Sequence, residues 1–342
     1  MAQPGFFDLS ERLHKLNEKD PLIQLAALID WEDFRSVLKV MRPVGKPKAG
    51  PRPYDSLLMF KILILQSLYN ISDDKAEFLI RDRYSFCRFL GLMPEDRVPD
   101  AKTIWLFRER LTKKGIVKEL FYSFEYQLQS KGLAARKGQI VDASFIEAPK
   151  QRNTRDENKD IKAGVTPESF ESNPHKASQK DVDARWTKKN DEVHYGYKVH
   201  VAVDNENKLI REYEVTSAEV HDSKVFIELL AENSSADVWA ESAYQSEASS
   251  VELYASGYRN NVHKKGRRNN PLSVKQQEMN TKKSKTRVRV EHVFGSMENE
   301  QGGMFIRTIG QVRSTAKIGL MNLACNMRRM VSLHRRSASM NY

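Results

Sequence analysis

Apolar residues run almost all round one stretch of this chain: Leu57, Leu58, Met59, Phe60, Ile62, Leu63, Leu65 and Leu68. That pattern predicts a buried helix, and Asp55 stands where its N-cap is needed. Ser72, followed by Asp73 and Asp74, opens a second helix that turns Ala76, Leu79 and Ile80 inward. Shorter helical pieces are predicted at 85–91 and, capped by Asp100, at 101–111. The spacing Val117, Leu120, Phe121, Phe124, Leu128 predicts another. Residues 1–50 read as helical and end in a stiff basic linker, Pro43-Val-Gly-Lys-Pro-Lys-Ala-Gly-Pro-Arg-Pro53. Short helices joined by tight turns suit a helix-turn-helix reader of DNA or a plain structural bundle, and the pattern leaves both open.

At Gly138 the period switches to that of strands. Strands are predicted at 139–147, 195–204 and 209–216, then a helix at 222–230 and strands at 237–241 and 258–263. The second strand has Val199, Val201 and Val203 on one face and Lys198, His200 and Ala202 on the other. Between Pro149 and Asn190 the chain is polar and almost without apolar periodicity, which predicts a long insertion between the first two strands. A capping box, Ser273-Val-Lys-Gln276, opens a helix expected to run through Met297, and a last helix is expected over 314–331. The order of elements is that of an α/β, RNase H-like domain: a mixed sheet with flanking helices, preceded by an all-helical N-terminal domain.

Charge adds a partner class. Of 342 residues, 56 are Lys or Arg against 45 Asp or Glu, a net charge of +11. The excess concentrates between Val262 and Glu291, where Lys264, Lys265, Arg267, Arg268, Lys275, Lys282, Lys283, Lys285, Arg287 and Arg289 face only Glu278 and Glu291. A lone basic run is usually a solvated surface. This one feeds into a carboxylate-bearing helix, which favours a polyanion such as DNA. Cys87 and Cys325 lack any Cys-x-x-Cys spacing and read as reduced core residues of a cytosolic protein. No apolar run is long enough for a bilayer, and no signal peptide is recognised, so no membrane partner is expected.

Three acids carry the candidate chemistry. Asp142 sits between apolar neighbours in the first strand, where β propensity disfavours Asp. Glu241 ends the fourth strand of the predicted sheet, next to the first. Glu291 lies at the edge of a stripe formed by Val290, Val293, Phe294 and Met297, with Arg287 four residues earlier on the same side. Carboxylates on neighbouring elements are what hard Mg²⁺ ions require, and two such ions serve phosphodiester cleavage. Taken alone, Glu291 reads equally as an ordinary helix salt bridge. His221 and Asp222 read as a helix start capped by Asp222 or as support beside the metals. Lys198 and His200 either contact DNA or pack under the insertion. Trp186, isolated in a polar segment, either stacks on an unpaired base or anchors the insertion to the sheet.

At these residues the chain resembles the IS5-family insertion-sequence transposases, a branch of the DDE transposases. The resemblance is carried by Gln139-Ile-Val-Asp142-Ala-Ser144, Val238-Trp-Ala-Glu241-Ser-Ala-Tyr244 and Arg287-Val-Arg-Val-Glu291-His-Val-Phe-Gly295. It extends over nearly the whole length, through Arg83-Tyr-Ser-Phe-Cys-Arg-Phe-Leu-Gly91, Tyr195-Gly-Tyr-Lys-Val-His200 and Phe305-Ile-Arg-Thr-Ile-Gly310. It implies a helical segment and linker over 1–50 and a helix-turn-helix-like DNA-binding domain over 51–132. An RNase H-like catalytic domain would follow over 138–332 with its insertion at 149–193, and a basic tail over 333–342. It also implies catalytic, metal-holding roles for Asp142, Glu241 and Glu291, Mg²⁺ (or Mn²⁺) as cofactor, and DNA as partner. That DNA comprises terminal inverted repeats and target, bound by a homodimer or higher oligomer in the bacterial cytoplasm, at the nucleoid. Lys198, His200, Lys264, Lys265, Arg267, Arg268, Lys283, Lys285, Arg287 and Trp186 are the expected DNA contacts.

The family places Asp where this chain has Glu241, often Tyr where it has Ser284, and Lys where it has Glu298. Glu moves the carboxylate by one methylene, which predicts weakened catalysis or a relative that only occupies transposon ends.

Overall fold

In the computed structural model the described residues are 20–41, 52–93, 95–189 and 191–340. The helix expected at the extreme N-terminus and most of the Pro/Gly/Lys linker lie outside them. The chain divides into two compact units, one of residues 1–127 with 323–342 and the other of residues 128–322.

The first unit is helical: α1 (Pro21–Leu28), α2 (Arg35–Leu38), α3 (Ser56–Tyr69), α4 (Asp73–Asp82), α5 (Tyr84–Leu90), α6 (Ala101–Lys114) and most of α7 (Val117–Ser130). The predicted caps are present. Asp55 accepts from the amide of Leu57, Ser72 from that of Lys75, and Asp100 from that of Thr103. Each side chain satisfies an amide that the first helical turn leaves unpaired. α3 is buried along nearly its whole length, as its continuous apolar pattern requires. Phe60 packs against Phe34 and Trp31.

The second unit is built on a six-stranded sheet: β1 (Gln139–Glu147), β2 (Arg185–Lys189), β3 (Glu192–Asp204), β4 (Ile210–Ser217), β5 (Asp237–Ala240) and β6 (Arg259–Asn260). The strands run β2-β3-β1-β5-β6, with β4 also pairing to β3. β1 is central, antiparallel to β3 and parallel to β5. β3 is long enough for its outer edge to hold two strands, β2 along Glu192–Gly196 and β4 along Tyr197–Val203. Ile140, Val141, Val199, Val201, Val203, Val238 and Ala240 are fully buried, so both faces of the sheet are covered.

Three expectations change. The helix predicted at 222–230 is only a 3-10 turn, Asp222–Lys224. Beyond it the chain is held at the start of β1, where the Gln139 amide bonds both the N–H and C=O of Ala231 and the Asn233 amide bonds those of Gly138. Phe226 and Leu229 reach the core from turns instead. The polar insertion is ordered, with α8 (Arg155–Lys162), α9 (Glu168–Glu171), α10 (Pro174–Ser178) and β2. α8 is fixed by a reciprocal capping box between Thr154 and Glu157. The helix opened by Ser273 is broken into α12 (Val274–Arg287), a 3-10 turn Val288–Val290, and α13 (Glu291–Glu300). α11 (Glu247–Ala255) precedes β6, and α14 (Gln311–Met340) closes the chain, extending past both ends of the helix expected over 314–331.

Candidate active site

The parallel pairing of β1 with β5 sets Val141 opposite Ala240, so the next residues, Asp142 and Glu241, leave adjacent strands side by side. Asp142 is 7% exposed. One of its oxygens accepts from the amide of Ala143 at 2.8 Å and the other from Nη1 of Arg287 at 2.8 Å. Glu241 follows β5 directly and begins a 3-10 turn, Ser242–Tyr244. Its Oε1 lies 3.3 Å from Nη2 of Arg287, and its Oε2 lies 3.7 Å from Nζ of Lys189. Glu291, the first residue of α13, reaches the same Nη2 at 3.8 Å. Three acids from three distant stretches of sequence therefore meet one guanidinium.

Electrostatics follow from this burial. Loss of water pushes the Asp142 carboxyl up to about 6; Arg287 opposes the shift and Glu241 adds to it. Nε of Arg287 is buried without a hydrogen-bond partner. The hydroxyl of Tyr244, three residues beyond Glu241, is also buried and unpartnered. Burial raises its pKa well above the ordinary value, and the charges of Asp142, Asp222 and Glu241 act in the same direction. Carboxylate oxygens are the donors a hard divalent cation takes. The donor chemistry fits such an ion. Among the described residues, however, no three acid, His or Cys side chains gather closely enough to hold one in this arrangement.

The other expected residues separate into surface and interior. Lys264, Lys265, Arg267, Arg268 and Lys285 are exposed. Lys283 is half-buried, and its ammonium donates to the carbonyl of Val262. Trp186, on β2, is 46% exposed and tilts against Tyr195, with Lys150 over its ring at 5.7 Å.

Lys198 and His200 are corrections to the expected DNA contacts. Both side chains turn into the fold, because β3 is covered on each face. Lys198 pairs with Asp222 at 2.9 Å and bonds the Val220 carbonyl, while His200 has no exposed surface and meets Thr216 at 3.0 Å. Burial lowers the His200 pKa to about 4. The predicted cap also changes hands: His221 accepts from the Ser223 amide, leaving Asp222 for Lys198.

Lys189 was not among the expected residues, although it reaches Glu241 and lies 6.0 Å from the Phe145 ring centroid. The signal was slight, since Arg185–Lys189 is too polar to read as a strand.

Residues 134–327 match the family described as the transposase DDE domain, and residues 10–110 match one described as a transposase domain, DUF772. The chain belongs to the DDE transposase family. Membership makes it an enzyme of DNA transposition, a DNA-dependent recombination carried out by metal-dependent cleavage and strand transfer. The α/β architecture with its helical N-terminal part is that of the family. A solved structure described as the piggyBac transposase synaptic complex with hairpin DNA is similar at 12% identity, over 94% of this chain and 76% of that one, with a TM-score of 0.46. Among the described residues of this transposase no helix is long and apolar enough to cross a membrane.

Proposed function

We propose that this protein is an insertion-sequence transposase of the IS5 type. In this reading it binds terminal inverted repeats, cuts the ends to free 3′-hydroxyls and joins them to target DNA. Asp142, Glu241 and Glu291 are its catalytic acids and would hold Mg²⁺, with Mn²⁺ as a substitute. The reading is carried by one observation: Arg287 is ion-paired with all three of these acids.

When bound, the cations supply an activated water and offset charge on the leaving oxygen. The protein's own residues do the rest. The β1–β5 register holds Asp142 beside Glu241, and Glu291, after the turn at 288–290, reaches the same Arg287 guanidinium. Arg287 keeps the acids together and is placed to receive a phosphate oxygen once they are otherwise neutralised. The exposed Lys264, Lys265, Arg267, Arg268 and Lys285 offset the charge of the DNA backbone. Two ends must be paired, so the acting species is at least a homodimer.

A labelled duplex carrying the element's own terminal repeats tests the reading, with Mg²⁺ or Mn²⁺ present. Asp142→Asn and Glu291→Gln are expected to lower cleavage by at least about 10²-fold while leaving DNA binding in place. Undiminished cleavage by either variant would remove that residue from the site.

A second reading, a relative that occupies transposon ends with little chemistry, is favoured by the longer side chain at 241 and its reach to Lys189. Glu241→Asp separates the two readings. A gain in strand transfer supports an impaired enzyme, equal rates show that Glu241 serves, and a variant that binds ends but stays silent supports the binder.

A further inference from the structure

The helical unit contains a groove of about 750 Å³ that the chemistry of the acid site does not use. One wall is a single face of α6, because Thr103, Leu106, Phe107 and Arg110 follow the i, i+3, i+4, i+7 spacing. The facing wall is the chain entering α3, from Arg52 through Tyr54, and Arg97 completes the lining.

The charges lining the groove are unequal in their commitments. Asp55 caps α3 and is ion-paired with Arg35, and Asp100 caps α6. Both carboxylates keep their charge within the lining, so the groove's arginines outnumber its acids by three to two. Arg52, Arg97 and Arg110 have no carboxylate partner among the described residues. Arg108, two positions from Arg110 on the same helix, shows what a structural arginine does here: it pairs bidentately with Asp73 at 2.6 and 2.7 Å. The three uncommitted arginines are exposed. Long, charged and unpaired side chains around a concave surface form an anion site.

The lining is also aromatic. The Arg97 guanidinium lies 5.8 Å from the centroid of the Tyr54 ring, and the Tyr54 hydroxyl donates to the Val98 carbonyl, which fixes that ring. Phe107 and Leu106 supply apolar wall. Arginines beside ring faces suit a group that is anionic at one end and flat or apolar at the other, which describes a nucleotide better than an acidic peptide.

We propose that this groove binds a phosphodiester segment of DNA, with Arg52, Arg97 and Arg110 on the phosphates and Tyr54 and Phe107 against sugar or base. It is a second DNA contact, additional to the basic run at 264–285, and it rests on the reading of this chain as a transposase. Because the arginines are exposed, their replacement leaves the helical core intact.

The test is binding of a short fluorescent duplex by the full chain, followed by anisotropy across a salt series. Each phosphate contact removed lowers the log–log salt slope by about 0.9. The triple variant R52A/R97A/R110A is expected to lose about 2–3 from that slope and at least about tenfold in affinity at moderate salt. The triple lysine variant is expected to keep most of the slope, and Arg110→Glu alone to weaken binding.

An unchanged slope and affinity in the triple alanine variant, with wild type binding well, would overturn the groove and leave the transposase reading standing. Failure of wild type to bind any duplex would instead undo that reading and this site with it. A groove that serves an acidic protein would show itself if the variant lost binding to polyglutamate but kept its DNA affinity, which also overturns the proposal.

Discussion

Arg287 and Asp142 form a pair in which neither partner is at ease. The carboxyl is pushed up by burial, and the guanidinium keeps one nitrogen unbonded in the interior. Two buried groups on β1 and β3 give this region an unusual dependence on pH. His200, with its pKa lowered to about 4, costs nothing while neutral, so its stability is complete above about 6.5 and is lost as pH falls towards 4. Asp142, raised to about 6, behaves oppositely. Between about pH 4 and 6 the unfolded chain releases that proton and the folded one keeps it, so stability rises as pH falls through the window.

Each effect amounts to about 3 kcal/mol, and over the shared window they nearly cancel. Removing one should expose the other. In urea unfolding, Asp142→Asn should lose stability steeply from pH 6.5 to 4, and His200→Gln should gain it from pH 6 to 4. Parallel profiles for the two variants would mean that the assignments are wrong.

Elements explain why some of the site was legible and some was not. Caps at Asp55, Ser72, Asp100 and Ser273 were readable because a side-chain oxygen bonding an amide two or three residues on is a local event. β1, β3 and β4 were readable from alternation and β-branched residues. Asp142 stood out as an acid inside such a run.

β2 was not legible, because Arg-Trp-Thr-Lys-Lys has no apolar alternation; it is a strand only because β3 extends far enough to pair with it. Nor was the break at 288–290, which divides a helix with a continuous sequence pattern just before Glu291. The insertion owes its order to polar contacts such as the Thr154–Glu157 box, which periodicity does not register.

Gly196 shows how tightly β1 and β3 are set. It has φ +145°, and a Cβ there would run into the Ile146 carbonyl oxygen and come within 2.8 Å of the Ala148 amide. Gly196→Ala should therefore destabilise by about 2–4 kcal/mol and shift the strand that carries Asp142. Thermal unfolding would report the first effect and metal-dependent cleavage the second. A Tm within about 1 °C of wild type would contradict it.

At the scale of the molecule, each unit offers a distinct cationic feature: the α/β unit a basic run at 264–285, the helical unit three arginines around a groove. Composition alone locates neither of them. The borders of the sheet have a consequence of another kind. At one end of the strand order lies β2, with Arg185, Lys188 and Lys189, and β4 lies on the same side of β3; at the other end lies β6, two residues long with Arg259. Cationic or very short borders discourage the addition of a strand from a neighbouring chain.

For a basic protein that gathers on DNA, these borders disfavour edge-to-edge assembly with further copies. Lys188→Val together with Arg259→Val should raise light scattering at high protein concentration, while the wild type stays clear. Addition of a strand at β2 or β6 is thus disfavoured by a handful of lysines and arginines.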